Sequence, residues 1–210
     1  MFPGWHAELA EFFEGLRLHN DKTWFERHRD MFTRAVMAPT EALAAELAPR
    51  YGEPHIFRLR RDARFAAGQP PYRTALGVQF DATAVHYYLS VSATELVTSF
   101  GRTRPDDEWV RQFRAAVAGP AGKSLQDVLA GLAEGGFDID GSSLKTTPRG
   151  FTADHPRADL LRYRAITATR RWPPRHWLGT PAALDLIART FDEAAGLARW
   201  LRTQIRIGDR

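Results

Sequence analysis

The chain has 210 residues, 44% hydrophobic and 26% charged, with a formal net charge of +4 and no cysteine. That length and balance predict one domain, 1–210, around a single core, and the lack of cysteine excludes disulfides, thiolate chemistry and cysteine metal sites. No window reaches the roughly 18 apolar residues of a membrane span, and MFPGWHAELAEFFEGL has no basic segment before an apolar run, so no membrane partner and a cytoplasmic location are expected.

The first fifty residues read as helical. Trp5, Leu9, Phe12, Phe13 and Leu16 make one apolar stripe, and Trp24, Phe25, His28, Phe32 and Val36 make a second. Asn20 is expected to cap the second helix, Pro39 to end it, and Leu43 and Leu47 to mark a third. From His55 the period becomes alternating. Phe57 and Leu59 are expected to face the core while Arg58 and Arg60 point the other way. Leu76, Val78 and Phe80, then Tyr87, Leu89 and Val91, predict two further strands, with another through Leu96 to Phe100.

Pro105-Asp106-Asp107-Glu108 opens a helix carrying Trp109, Val110, Phe113 and Val117. Leu125 to Leu132 form the next, stopped by Gly135-Gly136. Short strands are expected at Phe137–Asp140 and Leu144–Thr147, a brief helix from His155-Pro156, and a last strand from Ile166 to Trp172. Thr180 and Pro181 start a C-terminal helix with an apolar face from Leu184 to Ile205. The pattern predicts an α+β fold, a mostly antiparallel central sheet with the N-terminal and C-terminal helices packed on one face.

The sequence pI is about 9.7, and the arginines cluster. RLRRDARFAAGQPPYRT, from Arg58 to Thr74, sets Arg58, Arg60, Arg61, Arg64 and Arg73 around the lone Asp62. Guanidinium forks match phosphate and carboxylate oxygens, so convergence of two or three makes an anion site. The alternation of the later strands puts Gln79, His86, Tyr88 and Ser90 on a polar face. A second basic cluster, Leu144 to Arg164, contains Lys145, Arg149, His155 and Arg157, and a helix N-terminus at Pro156 would offer N–H groups to an anion. His6-Ala7-Glu8 and Asp154-His155 lack a third ligand at a recognisable spacing, so no metal site is assigned. No glycine loop of the Walker or dinucleotide type and no GxSxG elbow is present.

Three blocks, Asn20 with Trp24-Phe25, IFRLRRDARF followed by PYRT, and LKTTPRGF with DHPRADLLR, carry a resemblance. In them the chain resembles the bacterial and fungal family catalogued as domain of unknown function 2461. The resemblance implies an α+β fold with a central sheet and no particular activity. It places Arg61, Asp62, Arg64, Phe65, Pro71, Tyr72 and Arg73 in the family signature, with Pro148, Arg149, Gly150, His155 and Pro156. Where family members commonly read Ser-Lys-Asp-Lys, this chain has Ala66-Ala67-Gly68-Gln69 and lacks both lysines.

The leading expectation is a pocket for a phosphorylated or carboxylated small molecule. Arg58, Arg60, Arg61, Arg64 and Arg73 would supply charge there, Tyr72 and Tyr88 walls, and Lys145 and Arg149 further contacts. If the chain is an enzyme, Asp62 and His86 are the expected proton carriers. Two alternatives stay open: a basic sheet face binding nucleic acid, with Tyr72, Tyr88 or Trp172 stacking on bases, and a module docking an acidic protein. Cofactor, reaction and oligomeric state are not assigned.

Overall fold

A computed structural model describes residues 1–62, 64, 66–82 and 85–206; Phe65 of the arginine-rich run lies outside them. The architecture is α+β, with one six-stranded antiparallel sheet in the order β1-β2-β3-β4-β6-β5. Its strands are β1 (Glu53–Ile56), β2 (Ala75–Ala82), β3 (Val85–Ser92), β4 (Leu96–Arg102), β5 (Asp138–Asp140) and β6 (Ile166–Trp172). Two compact units share the chain. Met1–Asp81, Tyr88–Thr98 and Arg171–Arg189 form the first, and Ala82–Tyr87, Ser99–Arg170 and Thr190–Arg210 the second.

In the first unit the aromatic stripe folds as α1 (Glu8–Leu18), α2 (Lys22–Arg27) and α3 (Arg29–Met31). Leu9, Phe12, Phe13 and Leu16 are fully buried on α1. Trp5 precedes that helix rather than starting it, and its indole N–H donates to Thr40 Oγ1 at 2.9 Å. Asp21, not Asn20, caps α2, accepting the Trp24 N–H at 2.8 Å. Nor does Pro39 end a helix. A π-helical turn, Phe32–Met37, runs directly into α4 (Ala38–Tyr51), with Pro39 in the first turn of α4, where a missing N–H is tolerated.

β1 pairs with β2 so that His55 lies opposite Gln79 and Ile56 opposite Val78. Leu76, Val78 and Phe80 of β2 and Leu89 and Val91 of β3 are completely buried, while Gln79, Tyr88 and Ser90 are partly exposed. One side of this part of the sheet is therefore core and the other accessible.

The second unit carries α5 (Asp107–Ala118), α6 (Ala121–Glu134) and α7 (Ala158–Leu161). Asp106 caps α5 through the Trp109 N–H, as the acidic opening predicts. Leu144–Thr147 is not a strand; a single bridge joins Ser143 to Tyr163. The C-terminal helix is broken at Ala194 into α8 (Ala182–Glu193) and α9 (Ala195–Gln204). α5, α6 and α9 pack together. Trp109 stacks on Phe113 at 5.1 Å, Phe113 meets Trp200 edge-on, and the Trp200 N–H donates to Ala121 O at 2.9 Å. Tyr87 of β3 packs against Phe100 of β4 and Phe191 of α8. No helix among the described residues is long and apolar enough to cross a membrane.

Candidate anion-binding site

The arginine-rich run leaves the sheet after Ile56 without losing its partners. Phe57 N–H donates to Gly77 O at 2.9 Å, and a lone bridge joins Arg60 to Tyr72. The Arg61 N–H donates to Pro71 O (2.7 Å) and the Arg73 N–H to Leu59 O (2.9 Å), closing the intervening loop into a narrow hairpin. This register corrects the expected facing of Phe57. Phe57 continues the side of His55, which it meets edge-on at 4.8 Å, and lies 6.3 Å from Tyr88 on the accessible face. Leu59, at 4% exposure, is buried as expected.

A cleft of about 390 Å³ opens here, lined by Phe57, Arg61, Arg73, Thr74, Gly77 and Tyr88. Its floor depends on Gly77. A methyl group there would lie 2.7 Å from Tyr88 Oη and 3.0 Å from the ring, so only glycine lets Tyr88 lie across the strand. Arg61 Nε donates to Pro70 O at 3.1 Å and Arg73 Nη1 to Arg58 O at 2.8 Å. Each backbone anchor fixes a guanidinium and leaves further N–H groups for an acceptor. Among the described residues no carboxylate lines the cleft.

Of the five arginines in the run, then, two line the cleft. Arg64 is turned onto Asp62, with Nη2 2.6 Å from Oδ2 and Nε 3.0 Å from Oδ1. The same arginine's hydrogen bonds hold the Asp62 carboxyl below the usual aspartate range, which makes it a weaker base than a free aspartate. Arg58 and Arg60 are exposed, and their side chains make no hydrogen bond or ion pair among the described residues.

Tyr72 does not form a wall of the cleft. It is 5% exposed, with its ring stacked on Phe25 at 4.5 Å. Its backbone is gripped by Asn20, whose Oδ1 accepts the Tyr72 N–H (2.9 Å) while Nδ2 donates to Tyr72 O (3.0 Å). Hydrophobic stacking and a part-buried backbone clamp thus explain why the Tyr72 ring points inward. The signature residues Asn20, Phe25 and Tyr72 hold the base of the loop that carries Arg61 and Arg73. Tyr88 lines the cleft as expected.

The remaining expected site residues belong to the second unit. His86 Nε2 is 3.2 Å from Arg102 Nη1; a guanidinium only donates, so Nε2 is the acceptor. Lys145 is exposed, and Arg149 lines a different cavity with arginines of α5. The brief helix expected from His155-Pro156 begins at Ala158 and has four residues. Arg157 Nε donates to Val117 O at 2.6 Å, and Nη2 to Ala118 O and Gly119 O, so this guanidinium caps the C-terminus of α5. Phe57, Thr74 and Gly77 escaped the sequence reading; the one signal for Phe57 and Gly77 is that they share a parity with His55 and Gln79, which the β1–β2 register sets opposite each other.

The family model described as a conserved hypothetical protein of the domain of unknown function 2461 matches residues 8–200. The chain belongs to this family. No curated protein matches it at significant similarity.

Proposed function

We propose that the cleft of the first unit binds a small anionic molecule, a phosphate ester or a carboxylate. The observation that carries this reading is the pair Arg61 and Arg73, each anchored by one N–H on a backbone carbonyl, in a cleft with no acidic side chain among the described residues. An oxyanion accepts from the remaining N–H groups in a fork geometry. Phe57 and Tyr88, over the bare backbone of Gly77, receive a flat or apolar portion of the same ligand. The proposal is binding. Asp62, already neutralised by Arg64, contributes by ordering the rim of the loop.

The test is thermal unfolding with phosphate, sugar phosphates, nucleotides, dicarboxylates and a short oligonucleotide, each at low and moderate salt. A ligand at about a hundred times its dissociation constant adds roughly 2.7 kcal/mol, which moves the midpoint by roughly 2–4 °C per kcal/mol in a chain of this size. The expected result is a shift from one small anion that survives moderate salt and is lost in Arg61→Gln and in Tyr88→Leu. Tyr88→Leu keeps the loop anchors intact, so its effect separates ligand contact from loop collapse. A shift unchanged in both variants overturns the reading. A shift only with the oligonucleotide, erased by salt, replaces it with nucleic-acid binding.

A further inference from the structure

The second unit holds a separate concentration of positive charge. Asp107, Arg111 and Arg114 fall on one face of α5, at spacings of four and three residues. With Arg149 and Phe151 of the loop before α7, and Arg164 after it, they line a cavity of about 520 Å³. The carboxylates nearby neutralise little of this charge. Arg111 is paired with Glu108 on its own helix. Asp107 approaches Arg164 only to 3.6 Å, and its carboxylate is fully exposed. Arg149 makes no hydrogen bond or ion pair among the described residues.

Arg114 is the decisive member. Its Nε donates to Leu161 O at 3.0 Å, which fixes the guanidinium, but Nη2 is buried with no partner. A buried donor without an acceptor is costly, more so on a charged group. Burial and the like charge of Arg164 both press on Arg114, depressing its pKa. An oxyanion in the cavity would supply a counter-charge to the guanidiniums of Arg114, Arg149 and Arg164 at once.

We infer that this cavity is a second anion site, one that takes the phosphate of a small phosphate ester on Arg114, Arg149 and Arg164 and lays its carbon portion against Phe151. The inference is independent of the first cleft and stands or falls without it.

The experiment is isothermal titration with inorganic phosphate and phenyl phosphate, carried out in the Arg61→Gln/Arg73→Gln chain so that the first cleft is silent. One binding event is expected for each probe. Adding Arg149→Gln or Arg164→Gln should weaken it by about tenfold or more, the scale of one lost charge-assisted hydrogen bond. Both side chains are exposed, so circular dichroism should show the variants folded. Phe151→Leu should weaken phenyl phosphate and leave inorganic phosphate unchanged. The inference is overturned if neither probe binds, or if binding persists undiminished in Arg149→Gln/Arg164→Gln. Equal weakening of both probes by Phe151→Leu also overturns the place given to the carbon portion.

Discussion

Asn20 illustrates how one side chain changes meaning between sequence and structure. By position it reads as a helix cap, yet it forms two hydrogen bonds to the backbone of Tyr72, 52 residues away. Leaving those part-buried groups unpaired should cost about 1–3 kcal/mol. Asn20→Ala is therefore expected to lower the unfolding midpoint by roughly 2–4 °C for each kcal/mol lost. Asn20→Asp should not rescue it, because a carboxylate accepts the Tyr72 N–H but cannot donate to Tyr72 O. Wild-type stability in Asn20→Asp, measured by chemical denaturation, would remove the clamp from the account. Asp62 gives a second test at this scale. Its pKa is lowered in the fold by hydrogen bonds from Arg64. Its contribution is thus present above the usual aspartate pKa and fades as pH falls through the lowered value. The midpoint difference between the wild-type chain and Asp62→Asn should be small at neutral pH, since the pair is exposed, and should vanish in strong acid. A difference that grows on acidification contradicts the pairing.

At the scale of elements, the helix-end devices explain most departures from the sequence reading. Asp21 and Asp106 cap their helices through the N–H three residues on, a local bond, and the acidic start of α5 is visible from spacing alone. The end of α5 is different. Its last carbonyls are satisfied by Arg157, roughly forty residues away in the chain, and Gly122 leaves room for that side chain, since a methyl there would come within 2.4 Å of Arg157 Nε. Arg157→Ala should strip these acceptors of a charged donor and destabilise the chain by about 1.5–3 kcal/mol. It should leave anion binding at the first cleft unaltered below the new midpoint. Urea unfolding of Arg157→Ala beside Arg149→Ala checks this, since the Arg149 side chain supports no backbone group among the described residues and its loss should change stability by no more than about 0.5 kcal/mol.

For the whole molecule, charge and burial lead to different expectations. The net charge of +4 is modest. Many ion pairs are exposed partners on one helix, such as Arg17 with Glu14, Arg111 with Glu108 and Lys123 with Asp127. Such pairs contribute little and are screened by salt. The unfolding midpoint without ligand should accordingly move by no more than a few degrees between about 50 mM and about 300 mM salt. A fall of many degrees would mean that ion pairs, rather than the apolar cores around Phe12, Phe80, Phe113 and Phe191, carry the stability. The α+β class, the alternating strands, the caps at Asp106 and Thr180 and the arginine-rich signature are all determined by sequence, because each depends on residues a few positions apart. Only the tertiary structure decided that Arg61 and Arg73 share a cleft while Arg64 is spent on Asp62, that Tyr72 is core, that Phe57 faces outward, and that Arg114 and Arg149 line one cavity. Those facts follow from strand register and from hydrogen bonds between distant segments. A one-residue change of register exchanges the two faces of a strand, and here the placement of Phe57 and Arg60 is set by their pairing with Gly77 and Tyr72.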